Sequence, residues 1–210
     1  MKNNKLAKAL LLVLCAILLV CASVVGTLAY LTSGDEVTNT FTVGDVTITL
    51  DEAKTDVDGK VITGENAGRT SEGNQYHLIP GSEYTKDPVV HVVENSENCY
   101  LFVKVLNNIA GIEVLEATDP DYVSIHEQIL ANNWNVLSTN GNETVYYQMH
   151  EKSTAAKDYK VFESFTIEPT WNGNGQSGDV VITAYAIQET NVATKEAAWN
   201  LVKDITLNQP

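Results

Sequence analysis

Apolar and polar positions alternate through most of the chain. In "VTITL" (46–50), Val46, Ile48 and Leu50 fall on one side and Thr47 and Thr49 on the other. A period of two is what a strand with one buried face requires. "FTV" (41–43) alternates in the same way, and Gly44-Asp45 predicts a turn or bulge between the two runs. Asp58-Gly59 in "DVDGKVI" predicts a two-residue hairpin turn. Residues 64–75, "GENAGRTSEGNQ", are polar and glycine-rich, which predicts an exposed loop.

"YHLIPGSEYTKDPVVHVVENSENCYLFVKVLNN" predicts a strand, a Pro80-Gly81 turn and two longer strands, Thr85–Val93 and Cys99–Asn107, joined by "ENSEN". The second has Tyr100, Phe102 and Lys104 on one face and Leu101, Val103 and Val105 on the other. Apolar residues on both faces place it centrally in a sheet. "WNVLSTNGNETVYYQM" reads as a hairpin around Asn140-Gly141. "YKVFESFTIEPTW" and "DVVITAYAIQ" add closing strands across the loop "NGNGQSG".

Helical spacing interrupts the strands twice. A helical insertion is expected over 118–133, with Asp119 as N-cap, Pro120 in the first turn and Asn132-Asn133 at its end. Tyr122, Ile125 and Ile129 recur at helical spacing, with Val123, Leu130 and Trp134 beside them. A short C-terminal helix is expected over 193–203, capped by Thr194. About nine or ten strands separated by Gly, Pro and Asn turns imply an all-β fold, a jelly-roll-like antiparallel β-sandwich with one or two short helices.

The N-terminus follows a different pattern. "MKNNKLAK" carries Lys2, Lys5 and Lys8, and an apolar run to Val25 follows. Thr27 and Ala29 then occupy the −3 and −1 positions of a signal-peptidase site. Residues 1–29 therefore read as a signal peptide helix, cleaved before Tyr30, with 30–210 as a single domain. The rival reading is an uncleaved anchor, since the apolar run approaches the length that spans a bilayer. Any membrane association is expected only through the uncleaved leader.

Charge sharpens this picture. Removing 1–29 leaves 10 basic against 27 acidic residues, a net −17 where the whole chain carries −14. Such a surface repels nucleic acid and anionic membranes. Cys15 and Cys21 lie in the leader, so only Cys99 remains and no intramolecular disulfide can form. Beside Tyr100 in an apolar strand, Cys99 reads as a small buried hydrophobe.

Candidate chemistry is sparse. "HEQIL" (126–130) begins like the zinc-protease helix H-E-x-x-H, but Leu130 stands where the second histidine would be. His126 and Glu127 are then expected to be a solvated pair, and Leu130 to continue the apolar stripe. His77, His91 and His150 fall in separate strands with no ligand spacing. "DVDG" (56–59) lacks the remaining ligands of a calcium loop. No serine elbow, phosphate loop or Cys metal pattern occurs.

Several stretches together resemble the TasA/camelysin family of secreted Gram-positive proteins, exported with a SipW-type signal peptide. They are "GTLAYLTSGDEVTNTFTVGDVTITLDE", "LIPGSEYTKDPVVHVVENSENCYLFVKV", "FESFTIEPTW" and "VVITAYAIQ". The resemblance implies a jelly-roll sandwich and, for fibre-forming members, assembly in the biofilm matrix by pairing the N-terminal segment of one subunit with its neighbour. Here that segment is 30–40, with Tyr30, Leu31 and Val37 as its apolar contacts. The expectation is a structural protein, secreted to the matrix or cell surface, whose partners are signal peptidase during export and further copies of itself. Camelysin-type members are described as cell-surface metallopeptidases. This chain lacks a standard zinc motif, so no catalytic residue, metal or cofactor is expected. The alternatives are such a metallopeptidase, with zinc bound by distant residues, and a monomeric surface module that binds through loops such as 64–75.

Overall fold

The computed structural model describes residues 37–43, 46–115, 122–172, 178–190 and 192–203, all within one unit, Gly34–Pro210. The strands are β1 (Val37–Val43), β2 (Ile48–Ala53), β3 (Arg69–Thr70), β4 (Glu83–Thr85), β5 (Val89–Val92) and β6 (Cys99–Asn107). After helix α1 (Ile125–Ala131) come β7 (Asn135–Asn140), β8 (Glu143–His150), β9 (Lys157–Lys160), β10 (Ser164–Thr166) and β11 (Val180–Gln188). Helix α2 (Lys195–Val202) is the last described element. The fold is an all-β sandwich with two short helices among the described residues.

Two sheets face each other, ordered β1-β11-β6-β8-β7 and β3-β2-β5-β9, and a short β10-β4 pair stands apart. Val46, Ile48, Leu50, Val90 and Val92 line the inner face of the second sheet. They meet Leu101, Val103, Val105, Ile182, Ala184 and Ala186 of the first. The alternation in "VTITL" is thus the alternation between core and solvent. Strand β6 is central, between β11 and β8, as its two apolar faces predict. Its outer residue Phe102 packs with Val145, Tyr185 and Ile187 under Ala198, Trp199 and Val202 of α2. Thr194 caps that helix by accepting the Ala197 N–H, as expected.

Several local readings change, and the strand expected before Pro80-Gly81 is absent: residues 73–79 form no strand, so His77 lies in none either. The expected strand Thr85–Val93 is two strands. Pro88 has no N–H to donate to a ladder, and over 86–88 the chain crosses from β10, the partner of β4, to β2 and β9, the partners of β5. The helix expected over 118–133 begins only at Ile125. Its cap is Ser124 in a capping box: the Ser124 side chain accepts the Glu127 N–H, and the Glu127 carboxylate accepts the Ser124 N–H. Asp119 and Pro120 lie outside the described residues, and residues 122–124 are not helical. Leu130 is 42% exposed, so Ile125 and Ile129 alone carry the helix's buried face, and Trp134 is buried just beyond it.

The loop 64–75 also has more structure than its composition suggests. Arg69–Thr70 pairs with β2, and Asn74 is buried. Within the predicted turn, Gly59 has φ +77°, a conformation that a side chain disfavours. A Cβ there would lie 2.8 Å from the Tyr84 Cα, so the turn and β4 approach each other as only glycine allows.

Candidate assembly edge

Strand β11, the last of the described strands, has a partner on each side. It is nine residues long, and Val180, Ile182, Thr183, Ala184, Tyr185, Ala186 and Ile187 are all buried, on both of its faces. One side pairs with β6 along its full length. Among the described residues, the other side is covered only by β1, which runs parallel to it while every other ladder is antiparallel. The register sets Val37 against Ile182, Thr38 against Thr183, and Phe41 to Val43 against Tyr185 to Ile187, with an irregularity between Thr38 and Phe41. Without β1, an apolar strand would present an open row of N–H and C=O groups, a template for another strand.

The remaining edges of the two larger sheets are built differently. Strand β7, "NVLSTN", is mostly exposed and breaks register between Val136 and Ser138. Strand β9 is "KDYK", and β3 has two residues, one of them Arg69. Short length, charge and bulges are the devices that blunt an edge against pairing. Among the described residues, the side of β11 that β1 covers combines length with apolar faces, which β7, β9 and β3 do not.

The residues expected to function fall unevenly on this frame. Thr27, Ala29, Tyr30 and Leu31 lie outside the described residues, as does the leader. Val37 opens β1, so the end of the expected extended segment 30–40 pairs within its own chain. His126 and Glu127 are not a pair: His126 Nδ1 is 2.7 Å from the Tyr146 hydroxyl, and Glu127 serves the cap. His150 is buried, with Nδ1 2.8 Å from the Tyr159 hydroxyl, and burial together with Lys157 holds it below the usual histidine range. Cys99 is buried opposite His150, and burial pushes its thiol up to about 12. Among the described residues, no three His, Cys, Asp or Glu side chains group as metal ligands.

Two polar clusters escape the sequence reading. On the outer face of the second sheet, His91 sits between two carboxylates, Nε2 2.9 Å from Asp51 and Nδ1 2.7 Å from Asp158. Arg69 pairs with Asp51 and, at 2.9 Å, with Asp87. The other cluster is internal. The Lys86 ammonium and Glu52 carboxylate, both fully buried, are 2.9 Å apart, and the second Glu52 oxygen accepts from Asn74 Nδ2 at 2.7 Å. One signal pointed to it: Glu52 continues the series Val46, Ile48, Leu50, a carboxylate in phase with the buried face.

No family model matches the chain, and no curated protein matches it.

Proposed function

We propose that this chain is the subunit of an extracellular fibre, exported by cleavage after Ala29 and assembled by exchange of its N-terminal strand. The observation that carries the reading is the β11 edge, apolar on both faces and closed only by a parallel strand from the other end of the sequence. Within one chain, β1 closes its own subunit. Lent to a neighbour, it closes the neighbour's β11 and leaves its own open for the next copy. Repeated head to tail, such an exchange makes a filament rather than a closed dimer. Exchange re-forms the pairings that the monomer already has, so concentration and the strain of the link between β1 and β2 set the balance, not new contacts. Resemblance to the fibre-forming TasA/camelysin proteins supports the same reading. The function is structural, with the chain's own copies as partners.

A disulfide trap tests it. Thr38 and Thr183 are register partners, so the chain bearing Thr38→Cys and Thr183→Cys is assembled under reducing conditions and then oxidised. Strand exchange gives filaments whose denatured, unreduced chains run as a ladder of covalent multimers. Filaments that dissolve into internally bridged monomers, or mature protein that stays monomeric at every concentration, would show that β1 is not the joint. The monomeric outcome would leave the loop-based surface module in its place.

A further inference from the structure

We propose that Lys86 and Asn74 join in an intramolecular amide bond, formed by the protein itself with Glu52 as the proton carrier. The chemistry is intramolecular and independent of whether copies assemble.

Three observations lead there. First, the side chains of Lys86 and Glu52 have no solvent exposure and Asn74 is 6% exposed. Lysine is almost never fully buried, and well-packed apolar residues in place of a buried ion pair are often neutral or stabilising. Second, one carboxylate holds both reactants. Glu52 Oε2 is 2.9 Å from Lys86 Nζ, and Oε1 accepts from Asn74 Nδ2 at 2.7 Å. A single group can therefore take a proton from the attacking nitrogen and return one to the departing nitrogen. Third, the amide oxygen is already held by a donor: Asn74 Oδ1 accepts the Thr55 backbone N–H at 2.9 Å. A fixed N–H at that oxygen stabilises the negative charge that develops when the carbonyl carbon is attacked.

The surroundings suit an amine nucleophile. The Tyr76 ring lies 6.0 Å from Nζ, and Tyr76 packs edge-on against Tyr84 and Phe165, both buried. The reacting side chains are almost wholly buried and are held together by the fold, the condition under which intramolecular reactions gain most over bimolecular ones.

The steps balance without any co-reactant. A proton passes from Lys86 Nζ to Glu52 Oε2, leaving a neutral amine and a carboxylic acid. The lysine side chain swings from Oε2 towards Asn74, and the Nζ lone pair forms a bond to Cγ while the C=O π electrons move onto Oδ1 under the Thr55 N–H. A second Nζ proton is carried through Glu52 to Nδ2. The C=O bond re-forms, the Cγ–Nδ2 bond breaks and ammonia leaves. Nζ keeps one hydrogen, ammonia takes three, and Glu52 ends protonated. The buried ion pair is thereby replaced by a neutral amide and a neutral acid. The new bond ties the loop after β3 to the segment that leads into β5.

Mass spectrometry decides the matter. The full-length chain is purified, denatured and weighed, its N-terminus is read, and a digest is searched for a branched peptide joining residues 74 and 86. The expected result is a mass lower than the sequence mass by one ammonia, with the branch at Lys86 and Asn74. Glu52→Gln and Lys86→Met, each close to the original in size, should restore the full mass. The wild-type digest decides even if either variant fails to fold. A wild-type mass equal to that of the sequence overturns the proposal. So does an ammonia loss that maps to succinimide at Asn140, Asn172 or Asn174, each followed by glycine. A Glu52→Gln protein that still carries the branched peptide would overturn the assignment of Glu52.

Discussion

At the scale of a residue, His91 is the side chain whose state pH controls most directly. Both of its ring nitrogens face carboxylates, Asp51 on β2 and Asp158 on β9, and Arg69 shares the Asp51 oxygen, Oδ1, that faces His91. A neutral imidazole has one N–H and can serve only one of these acceptors, whereas the protonated ring serves both. Burial works against that charge, but the hydrogen bonds to Asp51 and Asp158 outweigh it and raise the pKa above the ordinary histidine value. For Asp51 burial again opposes ionisation, and the bonds from Arg69 and His91 overcome it and lower the pKa. The signs differ. The His91 contribution is complete below the unfolded histidine pKa of about 6.5 and is lost as pH rises through the higher folded value. The Asp51 contribution is complete above the unfolded aspartate value and is lost in acid. Urea unfolding of the wild type and of His91→Gln should therefore show a stability gap that narrows as pH rises above about 6.5. A gap that widens over that range would mean that the ring is neutral in the fold.

At the scale of an element, α1 is held by its first turn and by the Gln128 side chain, which accepts the Glu163 and Ser164 N–H groups and donates to the Ser164 carbonyl. It has only seven residues and two buried side chains, too short to be stable alone. Its Ile125 N–H is accepted by buried Glu113 at 2.6 Å, and the Ser124–Glu127 box satisfies the N–H groups of Ser124 and Glu127. Ser124→Ala should cost about 1 kcal/mol in chemical denaturation, up to about 2 in this buried setting. No loss at all would show that Glu113 suffices. The same helix shows where sequence reading stops. Strand β2 was legible from its clean alternation, β6 and β11 from their runs of apolar residues, and β8 from the Asn140-Gly141 turn that precedes it. The start of α1 was not, because Asp119-Pro120 and Ser124-x-x-Glu127 are both acceptable starts and the choice falls to a tertiary partner, Glu113. The β1–β11 pairing was hidden for a related reason: alternation reveals a strand but not its neighbour. The Lys86–Glu52–Asn74 cluster was half legible, since Glu52 broke the apolar series, but its partners come from a loop and a sheet crossover.

At the scale of the whole molecule, charge and topology pull in different directions. Without residues 1–29 the chain carries a net −17, and copies so charged repel one another at low ionic strength. Screening shortens that repulsion to about 8 Å at physiological salt. Assembly followed by light scattering should therefore quicken when salt is raised from low to physiological concentration, and slowing over that range would rule out repulsion as the barrier. Topology imposes an order in time. Val37 waits for Ile182, so the first described strand can find its place only after nearly the whole chain exists. A chain emerging N-terminus first, from a ribosome or through a membrane pore, holds β1 idle until β11 follows it. Closing so long a loop comes late in folding. If copies exchange strands as proposed, each emerging chain offers a free strand during that interval, and each neighbour whose own β1 is displaced offers a place to receive it. Under the proposed exchange, emergence is the time when one copy's β1 is free to pair with another's β11 without first leaving its own.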